Sequence, residues 1–288
     1  MCDDDNHQGY VADTSLTRRS AILTISSVAA VAGLPSATVA ANVTERDVMV
    51  RTGDGMADAA MFHPAGAGSW PAVLMWPDIL GLRPAFRDMG RRLAAAGYTV
   101  LVPNPFYRTR RAPVVTGAFD FNDPKQRDAI MSLRATLTDA GIAKDAAAFI
   151  TFLDRQRATN RRKGAGVQGY CFSGPFAFQT AAVRSDRIRA VGTFHGGGLV
   201  TKEASSPHLL IPKTKASFVV AIARNDDQKQ PDAKGILKAS FAAAKRRAVV
   251  EVFPADHGWC VPGSQTYDQP SAERAWAELL RLYRTRLV

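Results

Sequence analysis

The residue with the clearest chemical potential in this 288-residue chain is Cys171, in the stretch Gly169-Tyr170-Cys171-Phe172-Ser173-Gly174. A strand-like segment precedes it, and a helix-like segment begins at Pro175. A nucleophile on a tight turn between a strand and a helix forms a nucleophile elbow, where small neighbours let the two elements approach. The dipole and N–H groups of the following helix would favour a thiolate. The pattern predicts a cysteine nucleophile; the alternative is a buried structural cysteine.

An acid and a base follow Cys171 in the order that such a site uses. Asp226 and Asp227 come directly after the strand-like residues 218–223, and His257 follows the strand-like residues 248–253. Parallel strands place their carboxyl ends at one edge of the sheet, so these side chains are expected to lie near Cys171. The spacing leaves either acid possible, and we favour Asp226.

The predicted roles follow from the residue types. Cys171 would attack an acyl carbonyl, while His257 takes up the thiol proton and later activates water. The acid would orient the imidazole and stabilise its charged form. The backbone N–H of Phe172 would stabilise the oxyanion, together with that of Ile79 in the loop after the strand-like residues 72–76.

The rest of the chain alternates strand-like and helix-like segments. A hairpin is predicted at residues 47–51 and 59–63, and six further strands alternate with helices up to a closing helix at 271–286. This alternation predicts an α/β fold with a mainly parallel central sheet and helices on both faces. No linker divides residues 42–288, so we expect them to form a single domain.

Residues 1–41 are interpreted as a targeting segment. Arg18 and Arg19 precede an apolar run, residues 21–34, and small residues at 36–41 allow cleavage after Ala40 or Ala41. The run is shorter than the roughly 20 residues of a membrane span. The pattern predicts a twin-arginine-type export signal. We therefore expect a periplasmic or secreted protein without stable membrane insertion after cleavage.

Charge and cysteine content limit other functions. The formal net charge is +11, but the lysines and arginines are scattered and no nucleic-acid-binding motif accompanies them, so nucleic acid is not an expected partner. His195 has no second ligand at zinc-site spacing, so no metal is expected; we place it in a loop near the pocket rim. Cys260 could pair with Cys171, although simple packing beside the catalytic loop is the preferred interpretation.

The Cys171 elbow, the loop Asp78-Ile79-Leu80-Gly81-Leu82, the segment Arg224-Asn225-Asp226-Asp227 and the pair His257-Gly258 together resemble the dienelactone hydrolase family. The resemblance extends from about residue 45 to the C-terminus. It implies the α/β-hydrolase fold and hydrolysis of a lactone or another small carboxylic ester through an acyl-cysteine intermediate. It implies no metal and no organic cofactor. The alternative is a catalytically silent small-molecule-binding protein of the same fold.

The chain departs from the family at the substrate site. Asp78 stands where the best-known members carry a glutamate that interacts with the resting thiol, and Val261 stands where they carry an arginine for the substrate carboxylate. Arg83 and Arg127 are candidates to replace that arginine. Asp78 and Trp259 are predicted to contact the substrate. The sequence leaves the oligomeric state and the natural substrate open.

Overall fold

The computed structural model describes residues 10–15 and 42–288. The strands are β1 Val11–Asp13, β2 Val43–Thr52, β3 Gly55–Pro64, β4 Ala72–Trp76, β5 Thr99–Pro103, β6 Ala118–Asp120, β7 Ala165–Tyr170, β8 Ile188–Phe194, β9 Ser217–Ala223 and β10 Ala248–Phe253. The α-helices are α1 Pro84–Ala95, α2 Pro124–Ala135, α3 Asp139–Asp154, α4 Gly174–Val183, α5 Pro207–Leu210, α6 Arg224–Lys229, α7 Ala233–Ala243 and α8 Gln269–Arg286. Short 3₁₀ turns lie at Cys171–Ser173 and Ile211–Lys213.

Eight strands form the central sheet in the order β10-β9-β8-β7-β4-β5-β3-β2. The strands from β10 to β5 pair in parallel, while the hairpin β2–β3 joins the edge antiparallel to β5. Every residue of β4, β5, β7 and β9 is buried, as expected for parallel strands covered on both faces. The prediction of a mainly parallel α/β sheet is confirmed.

Two hydrophobic clusters cover the two faces of the sheet. One contains Phe149 of α3, Phe178 of α4 and Phe241 of α7. The other contains Phe86 of α1 and Tyr283 of α8. These five helices bury apolar side chains against the strands, which is the usual source of stability in a layered α/β domain.

Two local elements differ from the sequence-based expectation. The region 108–123, expected to be irregular, contains the short strand β6. The acids Asp226 and Asp227, expected in a loop, lie in the first turn of helix α6. Carboxylates at this position interact favourably with the helix N-terminus, so the two acids help the chain turn into a helix at the end of β9.

Residues 10–15 belong to the same fold although they fall within the predicted export signal. Here β1 pairs antiparallel with β6, joining Val11 to Asp120 and Asp13 to Ala118. The other parts of the predicted signal, residues 1–9 and 16–41, including Arg18, Arg19 and the cleavage positions, lie outside the described residues. Within the described part of the chain, no helix is long and apolar enough to cross a membrane.

Candidate active site

The turn that carries Cys171 is tight and strained. Cys171 has a φ of 57°, a left-handed conformation that is rare for residues with a side chain. Gly169 makes the turn possible, because a Cβ there would lie 2.2 Å from the carbonyl oxygen of Ser173. On the other side, a Cβ on Gly174 would lie 2.6 Å from the Thr193 hydroxyl. Strand β7, the turn and helix α4 can approach closely only because both positions are glycine.

Ser173, which stands at a position where glycine is usual, adds a polar connection to the elbow. Its hydroxyl oxygen accepts a hydrogen bond from the Tyr170 N–H at 2.9 Å. The same hydroxyl lies within donating distance of the Tyr170 carbonyl, at 2.9 Å, and of the Trp76 carbonyl, at 3.1 Å. The serine therefore links the nucleophile turn to the end of the neighbouring strand β4.

His257 and Asp226 meet at the ends of β10 and β9. Nδ1 of His257 lies 2.7 Å from Oδ2 of Asp226. The loop is held by its backbone as well: the His257 N–H donates to the Asn225 side chain at 2.8 Å, and the Thr266 hydroxyl donates to the His257 carbonyl at 2.7 Å. This geometry can fix the imidazole tautomer and stabilise an imidazolium.

Asp227 points elsewhere. Both of its carboxylate oxygens accept from the ammonium group of Lys234, at 2.8 and 2.7 Å. Of the two acids that the sequence leaves possible, the structure places Asp226 at the histidine. Arg224 reaches across to Asp256 at 3.0 Å and so joins the acid-bearing helix to the histidine loop from outside.

The predicted oxyanion positions lie around the nucleophile. Ile79 and Phe172 are fully buried or nearly so and belong to the same hydrophobic cluster as Cys171. The loop around Ile79 is closed by hydrogen bonds at Asp78: its side chain accepts from the Leu80 N–H at 3.0 Å, and its carbonyl accepts from the Gly81 N–H at 2.9 Å. A folded, buried loop of this kind can hold an N–H in a fixed direction.

Asp78 and Arg83 form a buried ion pair in that loop. Two guanidinium nitrogens contact the two carboxylate oxygens, at 2.5 and 2.7 Å, and the two side chains are 1% and 2% exposed. Burial, the largest single influence, would by itself lower the pKa of Arg83. The charge and hydrogen bonds of Asp78 act the other way together with Tyr10 and Cys171, and the pKa is raised overall. Asp78 therefore uses both oxygens on partners within the protein, and the charge of Arg83 is already compensated.

His195 contributes a second imidazole to the site. It is 1% exposed, and its ring centroid lies 4.8 Å from that of His257 in an edge-on arrangement. The sequence placed His195 near the pocket rim, whereas the structure buries it next to His257. His195 follows β8, which lies between β7 and β9 in the sheet, so the reasoning from strand ends that selected Asp226 could also have selected this residue.

Trp259, predicted to contact the substrate, is completely buried. Its indole stacks on Phe253 with ring centroids 4.7 Å apart. Both residues belong to the second hydrophobic cluster, whereas Cys171 belongs to the first. Its ring also lies 6.1 Å from that of His195. In this position the tryptophan packs in the core beside His195.

The remaining candidates lie apart from the reacting groups. Cys260 is in the same cluster as Trp259, no disulfide joins it to Cys171, and burial raises the pKa of its thiol well above the ordinary value. Arg127, on α2, is one third exposed beside Asp128. No group of three potential metal-binding side chains occurs in residues 10–15 and 42–288.

One residue of the site came from an unexpected part of the sequence. Tyr10 donates a hydrogen bond from its phenol to Oδ2 of Asp78, at 3.3 Å, and is 6% exposed. Burial and then the Asp78 carboxylate raise the pKa of Tyr10 well above its usual value, so the phenol is neutral and able to donate. No sequence signal indicated this role, because the residue lies in the segment interpreted as an export signal.

Comparison with known proteins agrees with this geometry. A sequence profile described as the dienelactone hydrolase family matches residues 57–287. The carboxymethylenebutenolidase 1 of Cupriavidus pinatubonensis is 27% identical over 215 residues, which cover 74% of this chain and 86% of that protein. A putative carboxymethylenebutenolidase of Methylorubrum extorquens is 25% identical over 301 residues, covering 98% of this chain and 97% of the relative. The crystal structure of a putative dienelactone hydrolase from Klebsiella pneumoniae has a TM-score of 0.73 at 20% identity, covering 84% of this chain and 99% of that one.

Proposed function

Since this chain belongs to the dienelactone hydrolase family, we propose that it hydrolyses small carboxylic esters or lactones through an acyl-cysteine intermediate on Cys171. One observation carries the proposal: a strained cysteine elbow lies on the same sheet edge as a histidine that is paired with an aspartate at 2.7 Å. Cys171 holds the nucleophile position of the elbow, while the Ser173 hydroxyl in the same turn is engaged with the backbone of Tyr170 and Trp76.

The proposed reaction has two halves. In the first, the sulfur of Cys171 bonds to the acyl carbon, the thiol proton passes to His257, and the leaving alkoxide takes that proton as the carbon–oxygen bond breaks. In the second, His257 removes a proton from water, the resulting hydroxide attacks the thioester, and the thiol is regenerated as the carboxylic acid departs. Asp226 holds Nδ1 of the imidazole throughout.

The N–H groups of Phe172 and Ile79 are the proposed donors to the oxyanion in both halves. Phe172 follows Cys171 directly, and Ile79 is buried in the same hydrophobic cluster. Donors that are fixed before the reaction stabilise the developing negative charge without reorganisation, which is usually the largest single contribution of such a site.

The proposed substrate is uncharged near the reacting carbonyl. Arg83, a candidate to hold a substrate carboxylate, is already neutralised by Asp78 in a buried pair. Releasing it for a ligand would leave the Asp78 carboxylate buried without its counter-charge, which is costly. Val261, at the other position considered for that role, is an apolar, fully buried side chain.

The direct test is trapping of the acyl-enzyme. The full chain, Cys171→Ala and Cys260→Ala are mixed with 4-nitrophenyl acetate, a neutral lactone and a lactone that bears a carboxylate, and nitrophenol release and intact mass are followed. We expect turnover and a transient acetyl adduct in the wild type and in Cys260→Ala, no adduct in Cys171→Ala, and preference for the neutral lactone. Equal turnover by the wild type and Cys171→Ala would refute the cysteine mechanism and favour a binding protein of hydrolase fold.

We also propose that the chain is exported through the twin-arginine route, on the support of the sequence pattern at Arg18 and Arg19. The test is cell fractionation of the wild type and of an Arg18→Lys, Arg19→Lys double variant, with an Arg161→Lys, Arg162→Lys variant as a control on the exposed surface. We expect only the first double variant to remain in the cytoplasm. Retention of the wild type there would contradict the proposal.

A further inference from the structure

A short N-terminal strand is built into the wall of the active site. Strand β1 lies between β6 and the loop that follows the catalytic histidine. On the β6 side, the Phe121 N–H donates to the Tyr10 carbonyl at 2.8 Å. On the other side, the Asp13 N–H donates to the Gly263 carbonyl at 2.9 Å and the Gln265 N–H to the Val11 carbonyl at 2.8 Å. Backbone hydrogen bonds on both sides give this segment a defined position and register.

That position brings Tyr10 into contact with two loops of the site. Its phenol donates to Asp78 in the oxyanion loop, and its Cε2 lies 2.6 Å from where a Cβ on residue 258 would stand. Gly258 follows His257 directly and has a φ of +98°. The tyrosine ring therefore bridges the oxyanion loop and the histidine loop, and the missing Cβ at Gly258 makes room for it.

The ring and the nucleophile belong to one buried part of the domain. Tyr10 belongs to the hydrophobic cluster that contains Cys171, Ile79 and Phe172. A charge on Cys171 affects both the phenol and the Arg83 guanidinium, which places all three groups in one electrostatic environment. Cys171 and His257 are each only 4% exposed, so an incoming ester has little room beside this ring.

We propose that Tyr10 is a specificity-determining residue of this hydrolase: its ring spans the oxyanion loop and the histidine loop, and there it limits the size of the acyl group that the site accepts. The inference rests on the proposed ester or lactone hydrolysis and adds the residue that sets its selectivity. Removal of the predicted export signal would then change the selectivity of the enzyme, because cleavage after Ala40 or Ala41 would separate Tyr10 from the catalytic chain. A segment held only by a short strand would then lose the high local concentration that covalent attachment provides.

The test compares two acyl lengths on the full chain. The kcat/KM values for 4-nitrophenyl acetate and 4-nitrophenyl octanoate are measured for the wild type, Tyr10→Ala, Tyr10→Phe and the exposed control Ser15→Ala on the same segment. We expect the octanoate-to-acetate ratio to rise about tenfold or more in Tyr10→Ala, which is the usual scale of discrimination by a filled apolar pocket. Tyr10→Phe, which keeps the ring, should retain the ratio of the wild type, as should Ser15→Ala.

A purely structural tyrosine would lower both activities together and leave the ratio unchanged, and that result would overturn the proposal.

A second measurement does not depend on ester hydrolysis. In a Cys2→Ser, Cys260→Ser background, the rate of labelling of Cys171 by a bulky maleimide is divided by the rate with iodoacetamide. We expect Tyr10→Ala to raise this quotient and Tyr10→Phe not to. An unchanged quotient refutes the size limit, whereas a raised quotient without ester turnover refutes only the proposed hydrolysis.

Discussion

The carboxylate of Asp226 lies 2.7 Å from Nδ1 of His257, although the two residues are 31 positions apart in the chain. They meet because β9 and β10 are neighbouring parallel strands whose carboxyl ends lie at the same edge of the sheet. The adjacent acid, Asp227, is turned away and paired with Lys234. The two neighbouring carboxylates therefore have different partners, and a variant of Asp227 is a matched control for the same substitution at Asp226.

Asp226→Asn is expected to lower kcat/KM strongly, on the order of 10⁴-fold, because an amide can hold the imidazole in the wrong tautomer and cannot stabilise the imidazolium. Asp227→Asn should stay within about threefold of the wild type, since it loses only an ion pair near the surface. Ester hydrolysis by both purified variants measures the difference. Similar losses in the two variants would contradict the assigned roles.

Arg83→Met is expected to reduce the free energy of unfolding by about 3–5 kcal/mol, because it leaves the Asp78 carboxylate buried without its counter-charge. The double variant Asp78→Asn, Arg83→Met should recover much of that loss, since no buried charge remains. Arg281→Met, which removes a largely exposed ion pair with Glu278, should cost no more than about 1 kcal/mol. Urea unfolding of the three variants gives these values, and an Arg83→Met loss no larger than that of Arg281→Met would disprove the prediction.

Gly169→Ala is expected to cost at least about 2 kcal/mol in stability and to abolish most activity, because the new Cβ would lie 2.2 Å from a backbone oxygen of the elbow. Gly235→Ala offers a matched control in helix α7, where a Cβ meets nothing within 4 Å. That substitution should stabilise the protein by about 0.5–1 kcal/mol, since alanine loses less backbone entropy in a helix. Thermal unfolding and esterase assays of both variants test the pair. An active, stable Gly169→Ala enzyme would show that the turn is less constrained than described.

Cys260 is expected to remain an unreactive, neutral thiol in the folded protein, because burial raises its pKa. A group whose pKa is raised on folding contributes stability that is present below its unfolded pKa and is lost as the pH rises above it. For a thiol that loss begins at about pH 8.5. In a Cys2→Ser, Cys171→Ala background, thiol labelling should therefore be slow until urea unfolds the chain. The free energy of unfolding of the protein with Cys260, relative to that of Cys260→Ala, should also fall between neutral pH and pH 10. Fast labelling of the folded protein would contradict the expected neutral thiol and its pH-dependent effect on stability.

The order of nucleophile, acid and base along the chain could be predicted from the sequence alone. The spacing of apolar segments predicts a mainly parallel sheet, and such a sheet brings Cys171 and His257 to one edge from distant positions. The predicted strand bounds 218–223 and 248–253 agree closely with β9 and β10, because these strands have strong local patterns. Local patterns are sufficient where burial follows a regular period.

Three features depended on contacts that no local pattern encodes. The choice between Asp226 and Asp227 is one, because successive residues on a helix point about 100° apart and the rotation of α6 decides which reaches the histidine. The pairing of Arg83 with Asp78 is another, since a buried ion pair is recognised only when both side chains are placed.

Tyr10 is the third and clearest case. The sequence by itself determined the fold, the nucleophile elbow and the order of acid and base, because these follow from periodicity and from the ends of parallel strands. Only the tertiary structure brought an N-terminal strand between β6 and the histidine loop. It laid Tyr10 against Gly258, 248 positions away in the chain, with the phenol on Asp78. Pairing between segments so far apart depends on the shape and hydrogen-bonding groups of the folded surface, and that surface does not exist until the rest of the domain has assembled.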